Sequence, residues 1–202
     1  MTETISFHID PLCPWAWQGA KWISEVRSVR DIEVRWGLFS LFLINEHHDE
    51  LEDDRPRMLL PLRSLALARR EQGNEGLERL YFAIGRALHE VQPRPEADED
   101  FVRAAAGSAG FDEGFLRRAL DDPTTEKEVE EEHAAVVEAV KAFGVPTIIL
   151  PNGRGIFGPV KAVAPTGEAA GELWDHVRWL TDQDDFFELK RIRNRKPGQI
   201  AA

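Results

Sequence analysis

The hydrophobic pattern changes period on either side of the single cysteine, and this change constrains the fold more than any other feature. Before Cys13, the run Ile5–Ile9 alternates β-branched or aromatic residues with polar ones, which is typical of a buried strand. After it, apolar residues recur at helical spacings: Trp17, Ala20, Ile23 and Val26. The helix is predicted to begin near Pro14, because proline is tolerated at the first helical position.

A cysteine at a strand-to-helix turn is a candidate nucleophile. Free amide N–H groups and the positive end of the helix favour a thiolate at this place, so we expect a lowered thiol pKa. The alternative is that Cys13 is a small buried hydrophobic residue. The context Cys13-Pro14-Trp15 at such a turn is unusual for packing alone. We therefore predict that Cys13 carries the reactive atom.

The composition excludes several classes of function. With one cysteine among 202 residues, the chain has no intramolecular disulfide and no cysteine-rich metal site. A net charge of −11 argues against nucleic acid as the main partner, and the basic stretch Lys190–Lys196 is interpreted as a solvated terminal segment. The longest uncharged apolar run, residues 37–45, is too short to span a membrane. Met1–Thr4 lacks the pattern of a signal peptide, so a cytoplasmic protein is expected.

The pattern after the first helix predicts a parallel pair of strands. Ile32–Trp36 alternates and is interpreted as a second strand, which Leu38–Ile44 continues before leaving it. A polar loop is predicted at Asn45–Asp54. Strand, helix and strand in this order form a right-handed βαβ unit.

Residues 56–143 have helical patterns throughout and show no repeat. The predicted boundaries are an interruption near Pro61, an end at Gly73 and Gly76, a break at Gln92–Pro95, N-caps at Asp98 and Asp112, and a capping box at Thr125 that opens a long helix ending near Gly144. This stretch is therefore predicted to be an all-helical insertion.

Strand character returns at the end of the chain. Thr147–Leu150 and Ile156–Gly158 flank a turn that contains Asn152-Gly153, which predicts a hairpin, and a last helix follows from Pro165 to about Leu180. The order βαβ, helical block, ββα is that of an α/β thioredoxin-like fold. We predict a thioredoxin-like domain at residues 1–55 and 144–202 and a helical insertion at residues 56–143.

Val145-Pro146-Thr147 is the second candidate part of the site. A proline at the start of a strand can be simple punctuation. In a thioredoxin-like topology, however, it is the position of a cis-proline that faces the reactive cysteine. We predict a cis bond before Pro146, which leaves the backbone of Val145 open to an extended thiol-bearing substrate.

These motifs give the chain a resemblance to a known family. It resembles the DsbA-like thioredoxin-fold family, and within it the cytoplasmic branch of mycothiol-dependent reductases. The resemblance rests on Asp10–Trp15, Trp17, Val29–Val34, Ser40-Leu41 with Asn45-Glu46, Gly144–Thr147, Phe157–Val160 and Phe186–Arg191, and so spans nearly the whole chain. It implies a nucleophile at Cys13, electrons from a low-molecular-weight thiol as co-substrate, no bound cofactor, and a helical domain that covers the site as a lid.

One position departs from the family pattern. Members of the branch that this chain resembles carry Cys-Pro-Trp-Cys at this motif, whereas the fourth residue here is Ala16. Without a second thiol, Cys13 cannot close an internal disulfide, so a dithiol oxidase is not expected. Monothiol chemistry remains, in which Cys13 attacks a small disulfide or electrophile and an external thiol such as mycothiol releases the adduct. We predict that thiol and substrate bind at Pro14, Trp15, Ala16, Val145, Pro146 and Thr147.

Several other side chains are weaker candidates. His47 and His48 adjoin acidic residues, but adjacent loop histidines usually face solvent, so no metal site is predicted. His8 is either packed in the core or a partner that lowers the thiol pKa of Cys13. Trp15 is the expected substrate contact, and Trp17 is assigned to the core.

Three functional hypotheses follow. The first is a cytoplasmic monothiol oxidoreductase that acts through Cys13. The second is a kappa-type thiol transferase or isomerase, although enzymes of that type carry a serine at the position of Cys13. The third is a non-catalytic binding protein that kept the fold. The sequence leaves the oligomeric state open, a homodimer included.

Overall fold

The computed structural model describes residues 2–45 and 53–198. Strand β1 (Glu3–Ile9), helix α1 (Pro14–Val29) and strand β2 (Ile32–Leu38) follow one another, and the two strands are parallel, with Phe7 opposite Trp36. The predicted βαβ unit is confirmed. The chain leaves the sheet at Leu38 and forms a turn at residues 41–44, and residues 46–52 of the predicted polar loop lie outside the described part.

Four strands form one mixed sheet in the order β2-β1-β3-β4. Strands β3 (Thr147–Ile149) and β4 (Gly155–Phe157) form the predicted antiparallel hairpin, and β3 lies antiparallel to β1. Helix α6 (Glu168–Thr181) follows and packs against α1. Because β1 is central, the residues after its carboxyl end lie between β2 and β3.

Between β2 and β3 the described residues form a helical block, as predicted, although two of the predicted helices are joined in α2. The block contains α2 (Arg55–His89), α3 (Glu99–Ser108), α4 (Phe115–Asp121) and α5 (Pro123–Val140). The α/β thioredoxin-like fold with a helical insertion is therefore confirmed, while the exact domain limits at residues 55 and 144 remain predictions. Within the described residues, no helix combines the length and the apolar character needed to cross a membrane.

The break in α2 lies at Gly73 and not at Pro61. Pro61 is buried inside the helix, and the backbone there stays helical, so the predicted interruption is wrong. Non-helical angles occur at Gln72 and Gly73, and Gly73 has φ 68° and ψ −166°, a conformation that only glycine adopts readily. Position 61 lies in the second turn of a helix that buries Leu59 and Leu62 on either side, and this tertiary packing overrides the local preference of proline.

Of the three predicted helix starts, the one at Asp98 is confirmed and those at Asp112 and Thr125 are wrong. Asp98 is the N-cap of α3, and its carboxylate accepts the Phe101 N–H at 2.8 Å, as predicted. Asp112 instead accepts the Gly114 N–H, and Gly114 is the N-cap of α4. The capping box at Thr125 is also wrong, because α5 begins at Pro123 with Asp122 as its N-cap and ends at Val140.

Aromatic side chains fill the core between the sheet and the helices. Trp17 of α1 packs edge-on against Tyr81 of α2, and Trp36 of β2 packs against both Phe7 and Tyr81. All four are at most 2% exposed. Trp17 is therefore a core residue, as expected.

The outer edge of β2 is covered by side chains of the insertion. Asn74 of α2 accepts the N–H of Trp36 and donates to the carbonyl of Val34, both at 2.9 Å. Glu132 of α5 accepts the N–H of Leu38 at 3.0 Å. The insertion therefore completes hydrogen bonds that an edge strand otherwise leaves to solvent or to another chain.

Candidate active site

Cys13 is the N-cap of α1. Its backbone N–H donates to the carbonyl of Asp10 at 3.0 Å, and this turn follows directly on the end of β1. The sulfur accepts the N–H of Ala16 at 3.4 Å, while Pro14 takes the first helical position, where no N–H is needed. The sequence thus places the sulfur at the amide-rich end of a helix, as predicted.

The cis-proline loop faces this sulfur. The bond between Val145 and Pro146 is cis, as predicted, and the carbonyl oxygen of Val145 lies 4.0 Å from Cys13 Sγ, within reach of a weak S–H donor. Thr147 supports the loop by donating to the carbonyl of Gly144 at 2.7 Å. The fold therefore joins two segments that are more than 130 residues apart.

Both halves of the site are buried in this conformation. Cys13 is 7% exposed and Val145 is 3% exposed, so the prediction that the backbone of Val145 lies open is not met. An apolar cluster encloses them; its buried members are Cys13, Ala16, Phe39, Val136, Ala142 and Val145. Val136 belongs to α5, so the insertion helps to close the site.

Burial raises the pKa of the Cys13 thiol, and this contradicts the expected thiolate. Loss of hydration is the largest cause, and the negative charge of Asp10 acts in the same direction. The Ala16 N–H and the guanidinium of Arg193 lower the pKa, but together they do not compensate for burial. The local helix position was predictable from the sequence, whereas the apolar enclosure comes from distant segments.

Asp10 organises the loop that carries Cys13. Its carboxylate is 3% exposed and accepts the N–H groups of Leu12 and Leu41, each at 2.8 Å. Burial raises the pKa of this carboxyl to about 6, against the lowering effect of those two hydrogen bonds. Asp10 therefore ties the cysteine turn to the segment that leaves β2.

His8 is a core residue rather than a partner of the sulfur. It is 7% exposed, and burial lowers its pKa. The hydrogen-bond partners of Cys13 Sγ are Ala16 and Val145, so His8 does not activate the thiol directly. The ring fits because residue 37 is glycine: a Cβ there would lie 2.3 Å from the ring of His8.

Three residues at the rim were not predicted from the sequence. His89 Nε2 donates to the carbonyl of Pro11 at 2.9 Å, and Arg94 donates to that of Leu12 at 3.0 Å. Arg193 lies with its guanidinium carbon 5.2 Å from the ring centre of Trp15, which is partly buried. The stretch Lys190–Lys196 is exposed, as expected, but Arg193 reaches the site.

Position 19 sets the spacing between α1 and the cis-proline loop. A Cβ at Gly19 would lie 2.9 Å from Pro146 Cγ and 3.2 Å from the ring of Phe7. Real Cβ atoms essentially never approach another atom closer than 3.0 Å, so the loop would have to shift. The absence of a side chain thus allows Pro146 to lie directly against the helix that begins at Cys13.

A metal site is not evident in the described part of the chain. Residues 2–45 and 53–198 contain no group of three or more His, Cys, Asp or Glu side chains placed to hold an ion. His47 and His48 lie outside these ranges.

Comparison with known proteins places this site in a family context. Residues 12–191 match the Rv2466c-like family, described as mycothiol-dependent nitroreductase Rv2466c. The uncharacterized protein Rv2286c of Mycobacterium tuberculosis is 37% identical over 204 residues, covering 98% of this chain and 86% of that protein.

Solved structures of other bacterial proteins share the fold. One is a probable DsbA oxidoreductase, SCO1869, from Streptomyces coelicolor, with TM-score 0.62 and 19% identity over 95% of this chain and 94% of that one. Another is the cytosolic disulfide reductase DsbM from Pseudomonas aeruginosa with GSH, with TM-score 0.57 and 18% identity over 87% of this chain and 99% of that one. The fold is thus that of DsbA-like proteins, with a cysteine facing a cis-proline, and the match over residues 12–191 shows that the chain belongs to the Rv2466c-like family of thiol-dependent oxidoreductases.

Proposed function

We propose that this protein is a cytoplasmic monothiol oxidoreductase that works through Cys13. The observation that carries the proposal is the position of Sγ, 3.4 Å from the Ala16 N–H and 4.0 Å from the carbonyl of Val145. A backbone amide on one side stabilises the thiolate, and the loop on the other side offers a backbone to an incoming substrate. The substrate is a small disulfide or another small electrophile.

The first step forms a mixed disulfide. The Cys13 thiolate attacks one sulfur of the substrate, the substrate's S–S bond breaks, and the second sulfur leaves as a thiolate that takes a proton from solvent. The Ala16 N–H stays directed at the sulfur, so it stabilises the same atom when the reaction reverses. Trp15, which packs against the cluster around Cys13, and the loop at Pro146 form walls of the proposed site.

The second step needs an external thiol. Position 16 holds a fully buried alanine, and Cys13 is the single cysteine of the chain, so no internal thiol attacks the mixed disulfide. A small thiol attacks it instead, which releases Cys13 and leaves the external thiol as half of a new disulfide. Membership of a mycothiol-dependent family supports mycothiol or a similar thiol in this role.

The helical insertion acts as a lid in this proposal. Val136 of α5 belongs to the cluster around Cys13, and the sulfur is only 7% exposed. A substrate therefore reaches the sulfur after the insertion and the sheet separate locally. DsbM is a cytosolic reductase whose structure was solved with GSH, which supports a small thiol partner and a cytoplasmic setting for a protein of this fold.

Burial of the thiol is also what a non-catalytic binding protein would show. In that second candidate function, Cys13 packs as a small apolar residue, which its raised pKa favours. The kappa-type transferase is a further alternative, in which the thiol cofactor never bonds to the protein. The two alternatives share one consequence: Cys13 forms no covalent adduct.

Mass spectrometry after incubation with an oxidised low-molecular-weight thiol tests the proposal. We expect one adduct on Cys13, stable until reduced thiol is added, and none on the Cys13→Ser variant. The Ala16→Cys variant should lose the adduct without added thiol and gain an internal disulfide, because the second thiol lies one helical turn away. Absence of an adduct on the wild-type protein would exclude the oxidoreductase and favour the two alternatives.

A further inference from the structure

Two arginines lie on the rim of the site, and the charge of one of them, Arg94, acts on the buried carboxyl of Asp10 by lowering its pKa. Arg94 uses one guanidinium nitrogen to donate to the carbonyl of Leu12, and Arg193 lies over Trp15. Neither forms an ion pair with any carboxylate of residues 2–45 and 53–198. Both side chains are exposed, so their remaining N–H donors face solvent.

The chain carries 36 acidic and 25 basic residues, and its arginines are commonly paired. Arg30, Arg69 and Arg118 each contact two carboxylates. Two unpaired arginines beside the single cysteine of an acidic protein therefore form a local positive field, which we call the cationic rim.

The two arginines contact residues on either side of Cys13 in sequence, Leu12 and Trp15, and come from distant segments. Arg94 belongs to the connection between α2 and α3 and holds the carbonyl one residue before Cys13. Arg193 belongs to the segment after α6, which returns to the body where the Gly198 N–H donates to the carbonyl of Ala162 at 2.6 Å. The charge of Arg193 acts on the sulfur itself, because it lowers the thiol pKa of Cys13.

We propose that the cationic rim, Arg94 and Arg193, selects small disulfides or electrophiles that carry a carboxylate or another anionic group next to the reacting atom. The inference rests on the proposed thiol chemistry of Cys13. A guanidinium donates to a carboxylate through two parallel N–H groups, so it orients the substrate as well as attracting it. Arg193 also forms a flat surface with Trp15 against which a ring can stack.

The test compares two disulfide probes that differ in charge. The anionic probe is 5,5′-dithiobis(2-nitrobenzoate), and the neutral probe is 2,2′-dithiodipyridine. In each reaction the Cys13 thiolate attacks one sulfur, the S–S bond breaks, and a coloured thiol is released, so the second-order rate constant is read directly. Because the chain has one cysteine, all colour comes from Cys13.

The ratio of the two rate constants, anionic probe over neutral probe, measures the preference of the site for a negatively charged substrate. Thiolate fraction and accessibility of Cys13 affect both probes and cancel in the ratio. We expect Arg94→Gln and Arg193→Gln each to lower the ratio about fivefold at low salt. In 0.5 M salt the charges are screened, so the wild-type ratio should fall toward that of the variants. Arg193→Lys keeps the charge but loses the paired N–H geometry, so its ratio should lie between those of the wild type and Arg193→Gln. Arg35→Gln, an exposed position in the middle of β2, is the matched control and should leave the ratio unchanged.

Unchanged ratios in both single variants and in the double variant would overturn the cationic rim. A ratio for Arg193→Lys as low as that for Arg193→Gln would do the same, because it would show that shape and not charge is read. Failure of wild-type Cys13 to react with either probe is a different result: it defeats the proposed function, and this inference with it.

Discussion

Cys13 lies where two physical effects oppose each other. The Ala16 N–H and the charge of Arg193 favour the thiolate, while the apolar enclosure removes the water that would solvate it. Burial has the larger effect, so the folded protein holds Cys13 as a thiol at neutral pH. The thiol is then free to donate to the carbonyl of Val145, the same group that we expect a substrate to use.

The reaction of Cys13 with iodoacetamide should reflect this balance. Because the thiol pKa is raised, the rate constant should still be rising at pH 9, and at pH 8 it should be lower than that of the protein unfolded in urea. Arg193→Gln should move the profile to higher pH, since Arg193 lowers the pKa, while Arg35→Gln should not move it. A plateau below pH 8 would show that the sulfur is activated in the free protein.

The sequence predicted the positions of Cys13 and Pro146 but not their surroundings. Cys13, its helix and the cis bond at Pro146 follow from local signals, namely a change of period and a proline at a strand start. The burial of the sulfur, Arg94 and Arg193 depend on segments 80 to 180 residues away, which no local pattern reports. The pKa was predicted with the wrong sign for this reason.

Helix α2 is shaped by a single glycine, Gly73. It runs from Arg55 to His89 with one interruption, at Gln72 and Gly73. Asn74, the residue after the interruption, forms hydrogen bonds with two backbone groups at the edge of β2, the N–H of Trp36 and the carbonyl of Val34. The kink therefore directs the second half of the helix, and the side chain at its start, toward the sheet.

Replacing Gly73 by alanine should destabilise the fold through the backbone alone. A Cβ at this position meets no atom within 4 Å, but φ 68° with ψ −166° is a glycine conformation, so the cost should be about 1–3 kcal/mol of unfolding free energy. Gly107→Ala is the matched control. It also meets no atom within 4 Å but lies in α3, so it should stabilise by about 0.5 kcal/mol. Urea unfolding measures both, and equal shifts of the same sign would contradict this assignment of the kink.

Helix starts show how local patterns compete. Both Asp122 and Thr125 fit a cap, but Pro123 occupies the first helical position best, which makes Asp122 the N-cap of α5. Thr125 then donates to the carbonyls of Ala119 and Asp122 from inside the first turn. The sequence pattern identified the helix correctly and its first residue incorrectly, because two caps three residues apart satisfy the same rule.

For the whole molecule, the insertion and the sheet depend on each other. Asn74 and Glu132 complete the hydrogen bonds of β2, and Glu132 is itself held by Arg69 of α2 at 2.6 Å. The same insertion supplies Val136 to the enclosure of the sulfur. Movement that uncovers Cys13 therefore has to preserve the contacts at β2 or break them at a cost.

Asn74→Ala tests this coupling. It leaves the N–H of Trp36 and the carbonyl of Val34 without their partner, which should lower the unfolding free energy by about 2 kcal/mol. An uncovered β2 edge should also promote self-association, visible by sedimentation velocity. Asn74→Asp keeps the acceptor and loses the donor, so its effect should be smaller. A stable and strictly wild-type-like Asn74→Ala protein would show that the insertion is not anchored there.

The absence of a side chain at Gly19 determines how closely Pro146 packs against α1. Gly19 touches no reactant, yet one added methyl group would displace Pro146 by contact at 2.9 Å. In the proposed function a substrate fits between Cys13 and Pro146, so the width of that gap depends on the missing side chain at position 19, about one and a half helical turns away from the sulfur. A larger residue at position 19 would therefore be a way to move Pro146 away from α1 and admit bulkier molecules, without altering any residue that lines the gap.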